Sequence, residues 1–359
     1  MNHKPDSKIR VLVVDDSVLM SRQITGILND DERIEVVGRA KDGMEALKMV
    51  AELEPDVVTL DVEMPRMNGI TALKHIMVKH GVPTIMISAL TTEGARTTFD
   101  ALKYGAIDVI AKPSRRENES LDAQKQDIVA KVHRAAAIRT GRSRYIRMPQ
   151  AAGVPLKTSG EPPDSSTHVI GLGAGTGGYY SLLRIVPGLP AGYQELVLVV
   201  LLVARKYLEP FVSYLEAHSS IPVRLVHHDA ALEKGTCYVA SGADGVEVSM
   251  NSQGVPRFEI HRDYTDDGTD GPVDRMLRSL AAFRNRAVGI VLTGSGQDGA
   301  FGLAAIRENG GVAVVQEINN CVDPEMPLSA LAVGPVDKLL PDYVMAEFLE
   351  RVRAWKSEN

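Results

Sequence analysis

Five polar residues in the first third of the chain stand where an open parallel sheet does its chemistry. Asp15 and Asp16 follow the apolar run IRVLVV (9–14), and Asp61 follows DVVTL (56–60). Ser88 ends PTIMIS (83–88), and Lys112 follows IDVIA (107–111), directly before Pro113. These runs are β-branched and nearly continuous, as strands buried on both faces of a parallel sheet are. The C-terminal strand ends of such a sheet emerge on one edge, so the three carboxylates must converge. Close carboxylates repel one another unless a cation screens them. An all-oxygen set with open positions suits Mg²⁺, which takes one or two carboxylates, waters and a phosphate. Helix N-caps would account for Asp16 or Ser17 singly, but not for five polar groups at successive strand ends.

A second feature lies in the middle of the chain. The turn GLGAGTGG (171–178) follows the apolar HVI and precedes the helical YYSLLRIV. A turn of this kind between a strand and a helix usually presents a nucleophile or cradles an anion. Its central residue, Gly175, has no side chain. The glycines can be read as G-x-G-x-x-G over Gly173, Gly175 and Gly178, but no acidic residue ends a second strand about 20 residues on, as ribose binding would need. Thr176 offers a hydroxyl one step away. His227 and His228, with Asp229 after them, end the strand PVRLVH, either as an exposed strand end or as a displaced base for Thr176. His168 and His261 read as surface residues.

The elements that must position these groups follow from periodicity. The strand candidates at 34–38 and at the runs above alternate with helical segments at 18–28 and 43–53. Leu121, Ile128, Val132 and Ala135 mark one face of a further helix. Residues 140–167 are rich in Pro, Gly, Ser and Thr without apolar period, a flexible-linker composition. Arg139, Arg142, Arg144 and Arg147 make its start locally basic. A second α/β region comes next, with strands expected at 168–172, 196–202, 222–227, 246–250, 257–262, 288–293 and 312–316. The pair 246–250 and 257–262, joined by NSQGVP, reads as a β-hairpin inserted in the mainly parallel sheet. The fold class expected is α/β with two doubly wound domains: 1–118, with a last helix over 119–139, then the linker, then 168–350.

Composition narrows the function. The chain has 359 residues, enough for two or three domains, and a formal net charge of −6, which gives no general electrostatic case for nucleic acid. No apolar run reaches the ~18 residues that span a bilayer, so no membrane insertion is expected. The N-terminus lacks a signal-peptide core, and a cytoplasmic location is expected. Cys237 and Cys321 stand apart without a Cys-x-x-Cys pair and read as reduced core residues.

VDDS (14–17), LDVEMPRMNG (60–69), MIS (86–88) and AKP (111–113) resemble, in order, the motifs of a two-component receiver domain. The resemblance covers the first ~115 residues. It implies that Asp61 is the phosphoacceptor and that Asp15, Asp16, Asp61 and the backbone of Glu63 hold Mg²⁺. It also implies that Ser88 and Lys112 contact the phosphoryl group, and that the phosphodonor is a chemosensory histidine kinase. Many receivers carry an aromatic residue three positions before the lysine; here that residue is Val109.

The second region is similar to the catalytic domain of chemotaxis-type protein-glutamate methylesterases, and receiver, linker, esterase is that family's order. The matching pieces are VIGLGAGTGG (169–178), LVLVVLL with YLEPFVSYL (207–215), VDRML (273–277), VLTGSGQDGAFG (291–302) and NNCVDPEMPLSA (319–330). The resemblance implies action on chemoreceptors, by ester hydrolysis and glutamine deamidation, through a Ser, a His and an Asp. Here the Ser position is Gly175 and the His position is Leu202, while Asp298 retains the Asp. An Arg-Pro-Ser stretch reads Asp270-Gly271-Pro272, a methionine reads Ser295, and a Pro-Gly-Asp turn reads Ser241-Gly242-Ala243. The expectation is a phosphorylation-controlled response regulator whose esterase domain is inactive. The alternative is an active methylesterase or deamidase that uses relocated residues.

Overall fold

The structure is a computed structural model that describes residues 8–88, 92–113, 121–138, 161–227, 232–253, 255–261 and 270–358. It divides into two compact units, Met1–Arg147 and Met148–Asn359.

The first unit alternates strand and helix. It runs β1 (Ile9–Val14), α1 (Val18–Asn29), β2 (Ile34–Ala40), α2 (Gly43–Leu53), β3 (Val57–Asp61), α3 (Gly69–Lys79), β4 (Thr84–Ser88), α4 (Thr92–Lys103), β5 (Asp108–Ala111) and α5 (Leu121–Ala137). The strands form one parallel sheet in the order β2-β1-β3-β4-β5. Helix starts are fixed by short polar side chains. Ser17 Oγ accepts from Met20 N, Asp42 from Met44 N and Glu45 N, and Asn68 from Thr71 N. Val11, Val13, Ile24, Leu28, Ile85, Ile87, Ile110, Ile128 and Val132 pack into one core, which joins α1 and α5 to the sheet. The order reverses at β1, so the crevice between the ends of β1 and β3 is the place where a doubly wound sheet binds ligands.

The second unit opens with residues 161–167, expected to belong to the linker. They are tied down: Lys234 N donates to Glu161 O, and Lys234 pairs with Asp164. Residue 139, expected to end the last helix of the first domain, and the expected linker residues 140–160, with Arg142, Arg144 and Arg147, lie outside the described residues. Then come β6 (Val169–Ala174), α6 (Gly178–Ile185), β7 (Leu196–Leu201), α7 (Arg205–His218), β8 (Val223–Leu225), β9 (Cys237–Ser241), β10 (Gly245–Met250) and β11 (Pro256–His261). They are followed by α8 (Pro272–Leu280), β12 (Ala287–Val291), α9 (Ala300–Glu308), β13 (Val312–Gln316), α10 (Glu325–Val333), β14 (Lys338–Leu340) and α11 (Asp342–Glu358). Seven strands make a parallel sheet in the order β14-β13-β12-β6-β7-β9-β8. Its switch point is β6, whose neighbours β7 and β12 lead away in opposite directions.

Two expectations change. The hairpin is present and antiparallel, but it is a separate two-stranded sheet rather than an insertion in the parallel one. Its backbone is engaged elsewhere, since Val248 N donates to Ser279 Oγ on α8. Strands β9 and β14 were not expected from the sequence. CYVAS is fully buried between β7 and β8, yet it is only five residues long and opens on a cysteine read as isolated core. In α7, Pro210 lies inside the helix, where it removes one N–H from the hydrogen-bond ladder.

Candidate functional sites

At the C-terminal edge of the first sheet, Asp15, Asp16, Asp61 and Lys112 gather around one point, and Ser88 ends the neighbouring β4. Lys112 Nζ donates to Asp61 Oδ2 at 2.7 Å and lies 3.2 Å from Asp15 Oδ2. Ser17 N holds Asp15 through Oδ1 at 2.9 Å, which turns the other oxygen inward. That Oδ2 is buried and accepts no hydrogen bond among the described residues. Asp16 is exposed, and Ser88, at the end of β4, is buried. The Ser88 carbonyl accepts from Lys112 N at 2.8 Å, which fixes the lysine beside the strand that carries the serine. Glu63 N bonds to the Asp61 carboxylate. Gly69 closes the crevice: a Cβ there would overlap the Asp61 carbonyl, so the chain can return past the acid only with glycine.

The electrostatics follow from this packing. Burial pushes the Asp61 carboxyl up to about 6, against the opposing pull of Lys112, and Asp15 adds to the rise. Burial alone would lower Lys112, but its bond to Asp61 and the fields of both acids hold it above the ordinary lysine value. One ammonium thus pairs with two acids, Asp61 and Asp15. Carboxylate oxygens of Asp15, Asp16 and Asp61 lie within 4.8 Å of one another. Three carboxylates in an all-oxygen set within chelating distance, one with a buried oxygen held only by its ion pair to Lys112, fit a small hard divalent cation. Val109 is buried on β5, and its carbonyl accepts from Lys131 Nζ at 2.5 Å. No aromatic ring occupies that position.

The second crevice lies at the switch point of the larger sheet. Gly175 follows β6, Leu202 follows β7, and Asp298 lies beyond β12, so all three share one sheet edge. Gly175 N donates to Thr293 O at 2.9 Å. A Cβ on Gly175 would sit 3.0 Å from Gly294 Cα and 3.3 Å from Met326 Sδ, so even a small side chain there is tightly hemmed. Gly177 caps α6 with φ +81°, and a Cβ there would overlap Val322. Leu202 is half-buried, and its side chain packs against the core and lies over Gly242, with a Cβ on that glycine 2.8 Å from Leu202 Cδ2.

The Asp298 carboxylate reaches across to α8 and accepts from Val273 N at 3.0 Å and Asp274 N at 2.8 Å. Any side chain at Gly271 would overlap it. Burial raises its pKa to about 6, partly offset by those two N–H groups. Thr176 Oγ1 lies 3.0 Å from Ser295 Oγ, which donates to Asp323 Oδ2 at 2.6 Å. Among the described hydrogen bonds none joins Thr176 to His227, and His228 lies outside the described residues. His227 lines a separate cavity of about 310 Å³ with Arg205, Leu208, Asp244, Val246 and Ile260. Sequence reasoning did not single out Asp323. It stands in the quoted stretch NNCVDPEMPLSA, but only the fold brings it to Ser295.

A receiver-type acidic crevice and a second, Gly-lined crevice on a parallel sheet define a response regulator with an effector domain. The family model described as response regulator receiver domain matches residues 11–123. The model described as CheB methylesterase matches residues 170–349. A protein-glutamate methylesterase/protein-glutamine glutaminase of Pyrococcus abyssi is 39% identical over 340 residues, covering 93% of this chain and 90% of the relative. One of the same description from Symbiobacterium thermophilum is 35% identical over 362 residues, covering 98% and 99%. The solved catalytic domain of the Thermotoga maritima CheB methylesterase is 25% identical with a TM-score of 0.49, covering 52% of this chain and 99% of that one. The chain belongs to the CheB protein-glutamate methylesterase family: it is a response regulator with a CheB methylesterase domain. No described helix is long and apolar enough to cross a membrane.

Proposed function

We propose that the protein is a phosphorylation-controlled chemotaxis regulator whose methylesterase domain no longer hydrolyses esters. A histidine kinase is the phosphodonor, and chemoreceptors or related signalling proteins are the targets. Asp61 attacks the phosphorus of a phosphohistidine; an O–P bond forms as the N–P bond breaks, and the imidazole leaves. Asp15, Asp16, Asp61 and the Glu63 backbone would hold Mg²⁺, which supplies charge neutralisation for the transferred phosphoryl group. Lys112 holds the Asp61 oxygen through an N–H bond and pairs with the new phosphoryl charge, and Ser88 offers its hydroxyl. The added charge alters the contacts of the receiver with its surroundings and so switches the effector domain.

Loss of hydrolysis rests on one observation above all. The position that should present the nucleophile is Gly175, hemmed by Gly294 and Met326. No hydroxyl there means nothing to acylate, and Leu202 offers no base. Asp298 is spent on the amides of α8. The reading is tested by methanol release from methyl-labelled receptor membranes, with the full chain, with and without a phosphodonor, beside an active family member. Release no greater than buffer supports it; clear release in either state overturns it.

A second reading has one observation in its favour, the chain Thr176–Ser295–Asp323. It puts two hydroxyls and a carboxylate beside the emptied position. If the native protein releases methanol, this arrangement is the candidate replacement, and Ser295→Ala and Thr176→Ala would abolish the release.

A further inference from the structure

The hairpin β10–β11 carries a group of residues that neither crevice uses. Its register sets Glu247 directly opposite Glu259, and Gly245 opposite His261. Side chains alternate between the faces of a strand. Val246 and Val248 enter the core and Phe258 packs against it. Glu247, Glu259 and His261 therefore share the outer face. Two like charges directly opposite on neighbouring strands destabilise the pair. Arg275 of α8 meets only one of them, through Glu247 Oε1. No described residue forms an ion pair with Glu259. The other Glu247 oxygen, Oε2, faces His261 Nε2 at 3.9 Å. One ligand atom from each of the three lies within 4.8 Å of the others.

We propose that Glu247, Glu259 and His261 form a zinc-binding site. One imidazole nitrogen and two carboxylate oxygens make a three-ligand set that zinc completes with a water, in tetrahedral geometry. The imidazole separates this site from the receiver crevice. Asp15, Asp16 and Asp61 offer only hard oxygens, which suit Mg²⁺, whereas an imidazole donor favours Zn²⁺. Arg275 is the outer partner: by holding one oxygen of Glu247 it aims the other at the metal position. Bound zinc neutralises Glu259, which no described residue pairs, and pins the two strands of the hairpin to each other.

The test is a calorimetric titration of the tag-free full chain with zinc chloride, in excess Mg²⁺ so that the receiver crevice does not compete. One zinc per chain with a micromolar dissociation constant is expected. His261→Ala and Glu259→Gln should each weaken it by about tenfold or more. Both residues are exposed, so the inner face of the hairpin stays packed in the variants. As a second readout, zinc should raise the unfolding temperature of the parent and leave that of His261→Ala unchanged. No micromolar binding by the parent, or an unchanged isotherm in both variants, overturns the proposal.

Discussion

Replacing Asp61 by Asn should make the receiver more stable at neutral pH, and the structure gives the size of the gain. Burial raises the Asp61 pKa from 3.8 to about 6. The folded state therefore holds this proton more tightly than the unfolded chain does. Its stabilising contribution is complete below pH ~4, falls as pH rises through ~4–6, and is gone above. At pH 7.5 the shift of about 2 units corresponds to about 3 kcal/mol against the fold. Asparagine removes that burden, but it also takes from Lys112 the nearer of its two acid partners, at 2.7 Å rather than 3.2 Å. The shift already counts that partnership, so the gain expected of asparagine is up to about 3 kcal/mol. Hydrogen exchange of the β1 and β3 amides, followed by mass spectrometry, reports the opening free energy of this unit separately from the other. The parent should lose protection between pH 5 and 7.5, after correction for intrinsic exchange, and Asp61→Asn should keep it. If the variant is no more protected than the parent at pH 7.5, the claim that burial outweighs Lys112 at Asp61 is wrong.

Other substitutions probe the second unit. The Val273 and Asp274 amides use different oxygens of Asp298, so Asp298→Asn keeps an acceptor for only one of them and should lose less stability than alanine does. Asp298→Ala should lose about 1–2 kcal/mol in urea denaturation; equal losses from both would refute the capping role. Gly175→Ser should cost about 1–2 kcal/mol because its Cβ presses on Gly294 and Met326, measured by the same denaturation; a neutral result would show that the crevice relaxes freely. Combined with Leu202→His, it should yield methanol release only where the rest of the crevice still binds receptor. Both cysteines are buried, and burial pushes the Cys237 thiol up to about 12. A chromogenic disulfide reagent at pH 8 should therefore titrate no thiol in the native protein and two after unfolding.

The sequence alone determined the two parallel α/β units and the order of their chemistry. Continuous β-branched runs can only be buried strands, and the residues at the C-terminal end of each run must lie on one sheet edge. For that reason Asp15, Asp16, Asp61, Ser88 and Lys112 could be grouped before any coordinate was known. That Gly175 brings no side chain to its turn was legible in the same way, since a residue type is visible without a fold. Short or hidden elements escaped. Nothing periodic in CYVAS separates a buried strand from any other apolar stretch, and the hairpin's place depended on α8, whose Ser279 takes up a β10 amide. Tertiary structure also decided the contacts that no spacing could encode. It bent Asp298 away from its own helix onto the amides of α8, placed Ser295 between Thr176 and Asp323, and set Glu247 against Glu259. Those contacts join residues 12 to 119 positions apart, and only the packing of strands and helices fixes which distant side chains meet.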